Sequence, residues 1–295
     1  MSKMEVKNIR FIVKRWDPKN GRFFKSEYSV PVYRGMTVLD ALIYIKENID
    51  KTLAFRGSCR MSTCGTCGIV INGKPRLACE TQILHLNTDT VYLEPLHNLP
   101  LVKDLVIDHT PFFEKQKKIK PYLIRRDMEE YWNPTREYLQ TPEEHLSYMQ
   151  FTYCLTCALC YAACPTTATN PNYLGPQALM NTYRFIADSR DEGRLERIAV
   201  IDNPDGCWGC HLAGACSEVC PKGVDPALAI QLLRREVAKM VFGYVEPVEG
   251  AKLAPPLQLT EKKITKGPPE FTVEGAEEKL KEFKIPKAIP VEKSK

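Results

Sequence analysis

The twelve cysteines of this 295-residue chain are the residues whose type and spacing could do chemistry, and they form three groups of four. The middle group has the spacing C-x2-C-x2-C-x3-C-P and comprises Cys154, Cys157, Cys160 and Cys164, followed by Pro165. Thiolates at this spacing are typical of bacterial ferredoxins, where three bind one iron–sulfur cluster and the fourth binds another. The pattern therefore predicts a second run of ligands elsewhere in the chain.

The last group supplies that run, since it comprises Cys207, Cys210, Cys216 and Cys220 and is closed by Pro221. By the crossing rule of two-cluster ferredoxins, Cys220 completes a [4Fe–4S] site with the first three cysteines of the middle group. Reciprocally, Cys164 joins Cys210 and Cys216 at a third site. A regular run would carry a cysteine where this chain has Ala213. Three thiolates are typical of a [3Fe–4S] cluster.

Cys207 leaves the type of the third cluster open. It lies three residues before Cys210, in the segment Gly-Cys-Trp-Gly-Cys-His. It could supply a fourth ligand, which would give a second [4Fe–4S] cluster, or it could be a buried cysteine that binds no metal. The C-x2-C spacing and the lack of any other unassigned cysteine favour ligation.

The first group has the spacing C-x4-C-x2-C-x11-C and comprises Cys59, Cys64, Cys67 and Cys79. This is the plant-type [2Fe–2S] pattern, whereas zinc sites are usually built from two paired C-x2-C elements. Glycines and small residues in the loop allow backbone N–H groups to approach sulfur atoms closely. Arg56 and Arg60 flank the loop and are predicted to tune the cluster by their charge; the alternative is that they are simply solvated.

The elements around the first group predict a small mixed sheet. Residues 6–14 and 23–33 alternate as strands around a turn at 17–21, and Thr37 is expected to cap a helix that continues to Asn48. Two further strands are predicted at 69–71 and 76–79, joined by the Asn72-Gly73 turn that returns Cys79 to the loop, and a last strand at 90–93. These features fit a plant-type ferredoxin (β-grasp) domain over residues 1–100.

From about residue 98 the apolar spacing becomes helical. Helices are predicted at 101–108, 112–119, 142–150, 175–188 and 226–241. Helices flanking the later cysteines predict an all-α, bacterial-ferredoxin-like domain over residues 101–243, so the fold class is α+β. Residues 244–295 are rich in proline and lysine, with one short helix expected at 276–283. This tail is either disordered or wraps over a partner.

Composition narrows the function classes. The formal net charge is +5, from 41 basic and 36 acidic residues that are scattered along the chain, so a nucleic-acid interface is not favoured. The first ten residues resemble no signal peptide, and no apolar run is long enough to span a bilayer, so we expect a cytosolic-type chain and only peripheral membrane association. We find no GxGxxG motif, phosphate loop or Ser/His/Asp arrangement, and therefore predict an electron carrier. The competing classes are a zinc-binding interaction module and a redox or iron sensor, although no DNA-binding motif is visible.

The three groups together resemble the iron–sulfur subunit of succinate dehydrogenases and fumarate reductases over residues 5–240. The motifs that carry the resemblance are Cys64-Gly-Thr-Cys67-Gly, Leu77-Ala-Cys79, Lys118-Ile-Lys-Pro-Tyr-Leu123, Tyr183-Arg-Phe-Ile-Ala-Asp-Ser-Arg-Asp191 and Cys216-Ser-Glu-Val-Cys-Pro-Lys-Gly223. The resemblance implies an FAD-containing flavoprotein partner that oxidises succinate, membrane-anchor subunits, a quinone acceptor and a peripheral place on the cytoplasmic side of the membrane. The alternative is a fumarate reductase that runs in reverse, with a thiol or another non-quinone compound as a possible electron donor.

Two departures from the family pattern lie near the acceptor end. Members of this family carry a tryptophan of the quinone pocket just after the first run, but here residues 165–170 read Pro-Thr-Thr-Ala-Thr-Asn. Cys207 is the second departure. His211 matches a family residue near the quinone, although it could instead be structural. These differences predict a non-standard acceptor end, with an atypical membrane anchor.

Overall fold

The computed structural model describes residues 6–242, and its first part is a sheet covered by one helix. Strands β1 (Lys7–Asp17) and β2 (Arg22–Val32) pair antiparallel along their whole length. Between them, the Asp17 carboxylate accepts hydrogen bonds from the backbone N–H of Lys19 and the side-chain amide of Asn20, which closes the predicted turn.

Helix α1 (Val38–Asn48) follows the second strand and begins as predicted. The Thr37 hydroxyl accepts from the Asp40 backbone N–H, and the Asp40 carboxylate accepts from the Thr37 N–H, which forms a capping box. The buried side of the helix includes Leu39, Leu42 and Ile45, so the apolar spacing in the sequence corresponds to the face that packs on the sheet.

Three shorter strands complete this sheet: β3 (Gly68–Ile71), β4 (Lys74–Leu77) and β5 (Thr90–Glu94). The strand order is β2-β1-β5-β3-β4, with β1 and β5 parallel and the other pairs antiparallel. The β3–β4 hairpin turns at Asn72-Gly73, where both residues have positive φ. Cys79 comes directly after this hairpin, which returns it to the first cysteine loop.

The helix predicted at 101–108 is wrong, because this segment forms a two-stranded hairpin of β6 (Leu101–Lys103) and β7 (Val106–Ile107). Asp104 takes a left-handed conformation with φ of 50°, which no helix accommodates. Its buried carboxylate accepts two hydrogen bonds from the Arg15 guanidinium, at 2.9 and 3.0 Å. The turn is therefore held by a partner 89 residues away in sequence, which local periodicity does not reveal.

Between residues 110 and 242 all the regular secondary structure is helical, as predicted. The helices are α2 (Thr110–Lys118), α3 (Met128–Trp132), α4 (Pro142–Thr152), α5 (Leu159–Ala163), α6 (Pro165–Thr169), α7 (Pro176–Ile186), α8 (Arg194–Ile201), α9 (Ala215–Glu218) and α10 (Pro226–Phe242). With the mixed sheet before them, they give the α+β class that the sequence predicts. Within residues 6–242, no helix is both long and apolar enough to cross a membrane.

The buried side chains form two apolar clusters, and helix α5 belongs to the cluster of the sheet. Leu159, Tyr161 and Ala162 of α5 pack with residues of the sheet and of helix α1. The second cluster is formed mainly by α4, α7, α8 and α10. A domain boundary at residue 100 stays a prediction, and residues 243–295, with the helix expected at 276–283, lie outside the described part of the chain.

Candidate iron–sulfur sites

The first cysteine loop surrounds the sulfur of Cys59 with backbone donors. The N–H groups of Met61, Thr63 and Cys64 donate to this sulfur at 3.5, 3.3 and 3.3 Å. These hydrogen bonds lower the pKa of the Cys59 thiol to about 6, because they stabilise the thiolate. Arg60, with φ of 58°, takes the left-handed conformation that turns the chain around the sulfur.

The hairpin brings the fourth cysteine of this group into the same loop. The backbone N–H of Cys79 donates to the Cys67 sulfur at 3.5 Å, and the N–H of Ser62 donates to the Cys79 sulfur at 3.3 Å. Burial raises the pKa of the Cys67 thiol to about 12. The loop therefore gathers the predicted residues, with the Cys67 side buried and the Cys64 side exposed.

The second site is a cavity enclosed by the first three cysteines of the middle group and the last cysteine of the chain. Its lining includes Cys154, Cys157, Cys160, Cys220, Leu155, Gln177, Met180 and Val224. Burial raises the pKa of the Cys154 thiol to about 11 and that of Cys157 to about 12. The pKa of Cys160 is also raised, by burial first and then by the neighbouring thiols. The structure thus brings together the four residues that the crossing rule groups.

The third site is a separate cavity beside helix α9. Its lining includes Cys164, Cys210, Cys216, Tyr173, His211 and Ala213. The Leu212 backbone N–H donates to the Cys210 sulfur at 3.3 Å. Burial raises the pKa of the Cys216 thiol to about 11. Three thiols therefore face this cavity, and Ala213 stands where a regular run would place a fourth.

Cys207 is not among the residues that line this cavity. Its side chain is 0% exposed and packs in the apolar cluster of the helices. Its carbonyl oxygen accepts a hydrogen bond from the Arg234 guanidinium at 3.0 Å, and burial raises the pKa of its thiol to about 11. The structure thus places Cys207 next to the third group in sequence but in an apolar setting.

The other predicted residues lie at the edges of these sites. His211 is exposed and borders the third cavity. Arg60 is exposed beside the first loop, whereas the Arg56 guanidinium donates to the Ile107 carbonyl at 3.4 Å. Within residues 6–242, no three His, Cys, Asp and Glu side chains form a site for a single metal ion.

The first two sites touch each other directly. A Cβ atom added at Gly65, between Cys64 and Cys67, would lie 2.9 Å from the Cys157 Cβ atom and 3.0 Å from the Leu155 carbonyl oxygen. Gly65 has φ of 72°, so both its backbone conformation and its surroundings require glycine. Helix α5 then connects Cys160 of the second site with Cys164 of the third. The three thiol groups therefore form a continuous series.

Three other buried residues have roles that the sequence analysis missed. Lys115 of α2 donates to the Tyr161 hydroxyl and to the carbonyl oxygens of Pro171 and Tyr173, at 2.6 to 2.7 Å. Tyr173 and Gln177 line the third and second cavities, respectively. A lysine in an amphipathic helix and a tyrosine after Asn-Pro-Asn give no sequence signal of these positions.

Two family models match the chain. One, described as a 2Fe-2S iron-sulfur cluster binding domain, matches residues 10–114, and the other, a 4Fe-4S dicluster domain, matches residues 150–224. The chain thus contains [2Fe–2S] and [4Fe–4S] binding domains in the order that the cysteine spacing predicts.

Relatives of known identity are similar over most of the chain. A fumarate reductase iron-sulfur subunit of Mycobacterium tuberculosis is 48% identical over 69% of this chain and 82% of its own length. The fumarate reductase iron-sulfur subunit of Escherichia coli O157:H7 is 44% identical over 80% of this chain and 95% of its own length. A succinate dehydrogenase iron-sulfur subunit of Paracoccus denitrificans is 41% identical over 76% of this chain and 86% of its own length. A chain of the solved Mycobacterium smegmatis Sdh1 complex in the apo form has a TM-score of 0.72 at 25% identity, covering 81% of this chain and 98% of that chain. The protein therefore belongs to the family of succinate dehydrogenase and fumarate reductase iron–sulfur subunits, the electron-transfer subunits of these oxidoreductases.

Proposed function

We propose that this chain relays electrons from a flavoprotein subunit that oxidises succinate, through three iron–sulfur clusters, to quinone at a membrane. The observation that carries the proposal is the series of thiol groups in contact. Gly65 of the first loop packs against Cys157 of the second site, and helix α5 joins that site to the third. Iron–sulfur clusters exchange single electrons, so a connected series converts the two-electron oxidation of a substrate into one-electron steps.

The first two sites fit the clusters that their spacing predicts. Cys59, Cys64, Cys67 and Cys79 would hold the [2Fe–2S] cluster, because backbone N–H groups already point at the sulfurs of Cys59 and Cys79. Cys154, Cys157, Cys160 and Cys220 would hold the [4Fe–4S] cluster, because all four face one cavity of largely apolar lining. The five-stranded sheet with its helix supports a β-grasp ferredoxin fold for the first half, and the helices around the later cysteines support a bacterial-ferredoxin-like second half.

For the third site we propose a [3Fe–4S] cluster held by Cys164, Cys210 and Cys216. This choice departs from the ligation that the sequence favours for Cys207. Its support is that Cys164, Cys210 and Cys216 line one cavity with Ala213, whereas Cys207 is not among the residues that line it. A [4Fe–4S] cluster is the alternative, and the description of the matching dicluster family favours it. It would require the Cys207 thiol to reach the cavity that the other three thiols line.

The third site is the proposed acceptor end. His211 is exposed at its edge and would lie in the vicinity of the quinone. Without a tryptophan after Pro165, we propose a non-standard quinone pocket completed by membrane-anchor subunits. The flavoprotein would then dock near the first loop. Since the chain lacks a spanning helix within the described residues, we place it peripherally, on the cytoplasmic side of the membrane.

Fumarate reduction is the second candidate for the physiological direction. The relatives at 44 to 48% identity are fumarate reductase subunits, and the succinate dehydrogenase relative is 41% identical. In that direction the same series would carry electrons from quinol, or from another donor, to the flavoprotein. The ligand sets and the connected path are the same in both directions.

Electron paramagnetic resonance of the anaerobically purified complex, as isolated and after reduction, tests the proposal. We expect a near-isotropic three-iron signal in the oxidised state and a [2Fe–2S] signal after reduction. The Cys207→Ser variant should keep the three-iron signal unchanged. If instead the unmodified protein lacks that signal and Cys207→Ser creates it, Cys207 is a ligand and the third cluster is [4Fe–4S]. A colourless protein that contains zinc would contradict the electron-transfer function altogether.

A further inference from the structure

Among the buried polar side chains without a hydrogen-bond partner in residues 6–242, Tyr173 and Gln177 each line a different cysteine cavity. Tyr173 is 0% exposed and borders the third cavity; Gln177 is 1% exposed and borders the second. Within residues 6–242, the Tyr173 hydroxyl and both polar atoms of the Gln177 amide have no well-formed hydrogen bond. Burying such a group without a partner costs free energy, so each requires an explanation.

Tyr173 lines the third cavity together with the three thiols of that site. Burial raises the pKa of this hydroxyl, and the charges of Cys210 and Cys164 raise it further, as does a hydrogen-bonding contact with Cys210. Tyr173 and Cys210 line the same cavity, so the Cys210 sulfur is an acceptor on the wall that this buried hydroxyl borders. Phenylalanine would fill the same space in this apolar cluster, so shape alone does not account for a tyrosine.

The Tyr173 ring is held in place from several sides. Its backbone N–H donates to the Asn170 carbonyl at 3.2 Å, and its carbonyl accepts from the Lys115 ammonium at 2.7 Å. A Cβ atom added at Gly209 would lie 3.1 Å from the ring, so the glycine allows the chain to pass close over the ring face. The ring is therefore fixed at the wall of the cavity that the third group of thiols lines.

Gln177 is placed in a similar manner at the second site. It follows Pro176 in the first turn of α7, and its side chain lines the cavity with Cys154, Cys157, Cys160 and Cys220. The other lining residues include Leu155, Met180 and Val224, which offer no hydrogen-bonding side chain. Lys222 also lines this cavity but can only donate, so the sulfur atoms are the side-chain acceptors available there to the amide N–H.

We propose that Tyr173 donates a hydrogen bond to the Cys210 thiolate and that Gln177 donates one to a sulfur of the second cluster, each raising the reduction potential of its own cluster. The inference rests on the ligand sets of the proposed function. Reduction adds negative charge to a cluster, and a donor to its sulfur stabilises that charge. Both side chains act through sulfur, so they are positioning residues and take no part in succinate chemistry.

The test is a redox titration of the intact complex, followed by electron paramagnetic resonance, on Tyr173→Phe and Gln177→Leu. Tyr173→Phe should make reduction of the third cluster about tenfold less favourable, which is about 59 mV for a one-electron couple, and leave the second unchanged. Gln177→Leu should lower the potential of the second cluster by a similar amount and leave the third unchanged. Each variant is thus the control for the other.

Tyr183→Phe provides a matched control, because Tyr183 lies in the same apolar cluster but its charged neighbours are Arg235 and Glu236. No shift at the affected cluster, or an equal shift in Tyr183→Phe, would overturn the inference. If a variant fails to assemble, electron–nuclear double resonance on the unmodified complex, in H2O and in D2O, still tests the donor. The third cluster should couple to a proton that exchanges with D2O. If no such coupling is found, the role of Tyr173 is overturned. A missing third-cluster signal in the unmodified complex would instead overturn the proposed ligand set.

Discussion

Cys59 of the first cysteine loop and Cys154 of the second site are thiols in opposite surroundings. In the loop, Cys59 receives three backbone hydrogen bonds, and the pKa of its thiol falls to about 6. In the helical half, Cys154 receives one, and burial raises the pKa of its thiol to about 11. The loop therefore stabilises the Cys59 thiolate by its own backbone. Cys154, like the buried Cys67 of the loop itself, needs bound iron to compensate for burying the charge.

This difference predicts two kinds of dependence on metal. A loop that wraps a sulfur with backbone N–H groups, on a sheet with its own apolar cluster, has reason to persist without iron. Cavities lined by buried thiols leave the helices around them underpacked when iron is removed, because the cluster fills the space between them. When the clusters are lost, the helical half of the chain should therefore lose more stability than the half that contains the sheet.

Removal of iron by a chelator should have the largest effect, and mainly on the helices. We expect amide protection in α7 and α10 to fall at least about a hundredfold, which is roughly 3 kcal/mol, and protection in β1 and β2 to fall far less. Hydrogen exchange followed by mass spectrometry measures both in one sample. Equal losses of amide protection in the helices and in the strands would contradict the proposed difference in their dependence on metal.

Arg197→Met should be the most damaging substitution of a side chain that is not a thiol. Arg197 is fully buried; it pairs with Asp191 at 2.5 Å and donates to the carbonyl oxygens of Ile119, Lys120 and Tyr122. Removing it leaves a buried carboxylate unpaired, for which we expect a loss of about 3–5 kcal/mol in the free energy of unfolding. Urea unfolding measures the loss.

A neighbouring arginine provides the control for this substitution. Arg194 pairs with Glu236 while 42% of its own side chain is exposed. Arg194→Met should therefore cost less than about 1 kcal/mol. Similar losses of unfolding free energy for the two variants would show that burial of the Arg197 hydrogen bonds does not stabilise the segment 119–122.

Gly65→Ala should disturb the contact between the two halves. The added methyl group would meet the backbone of Leu155 and Cys157, in a conformation with φ of 72°. We expect a loss of about 2–4 kcal/mol from strain and crowding together. The matched control is Gly73→Ala, since Gly73 has φ of 78° but nothing within 4 Å of an added Cβ atom. Calorimetry should show a loss of only about 1–2 kcal/mol there, and equal losses would deny the close contact at Gly65.

Alkylation of the iron-free protein should distinguish the two kinds of thiol by their pH dependence. The thiolate reacts and the thiol does not, so labelling of Cys59 should rise with pH and level off above about 6. Cys154, whose pKa is raised to about 11, should still be gaining reactivity at pH 9. At pH 7 we expect Cys59 to react at least about tenfold faster. Iodoacetamide labelling with peptide mapping gives both profiles, and identical profiles would contradict the comparison.

Much of the fold follows from local sequence signals. Thr37 and Asp40 form the predicted cap, and the Asn72-Gly73 turn returns Cys79 to the loop as expected. The segment 101–108 could not be predicted locally, because Arg15, on the first strand, determines its turn. The packing of helix α5 on the sheet was likewise hidden, since its short apolar run is equally compatible with either cluster.

The spacing of the cysteines was the strongest predictor of the sites, because it follows from the geometry of the clusters themselves. The spacing does not predict which of two neighbouring cysteines lines a given cavity. Cys207 and Cys210 are three residues apart, yet only Cys210 lines the third cavity within the described residues. The backbone of this segment is held by Arg234, which donates to the carbonyl oxygens of both cysteines, and sequence spacing does not encode that distant contact. Tyr173 and Gln177 were missed for the same reason.

The spin relaxation of the reduced [2Fe–2S] cluster tests most directly the claim that the three thiol groups form one connected electron path. Power saturation of its resonance signal should be measured before and after the [4Fe–4S] cluster is reduced, in the intact complex at low temperature. Because Gly65 of the first loop packs against Cys157, we predict that the relaxation becomes markedly faster once the second cluster is paramagnetic. Relaxation that stays unchanged would show that the two clusters are far apart, and would contradict the relay.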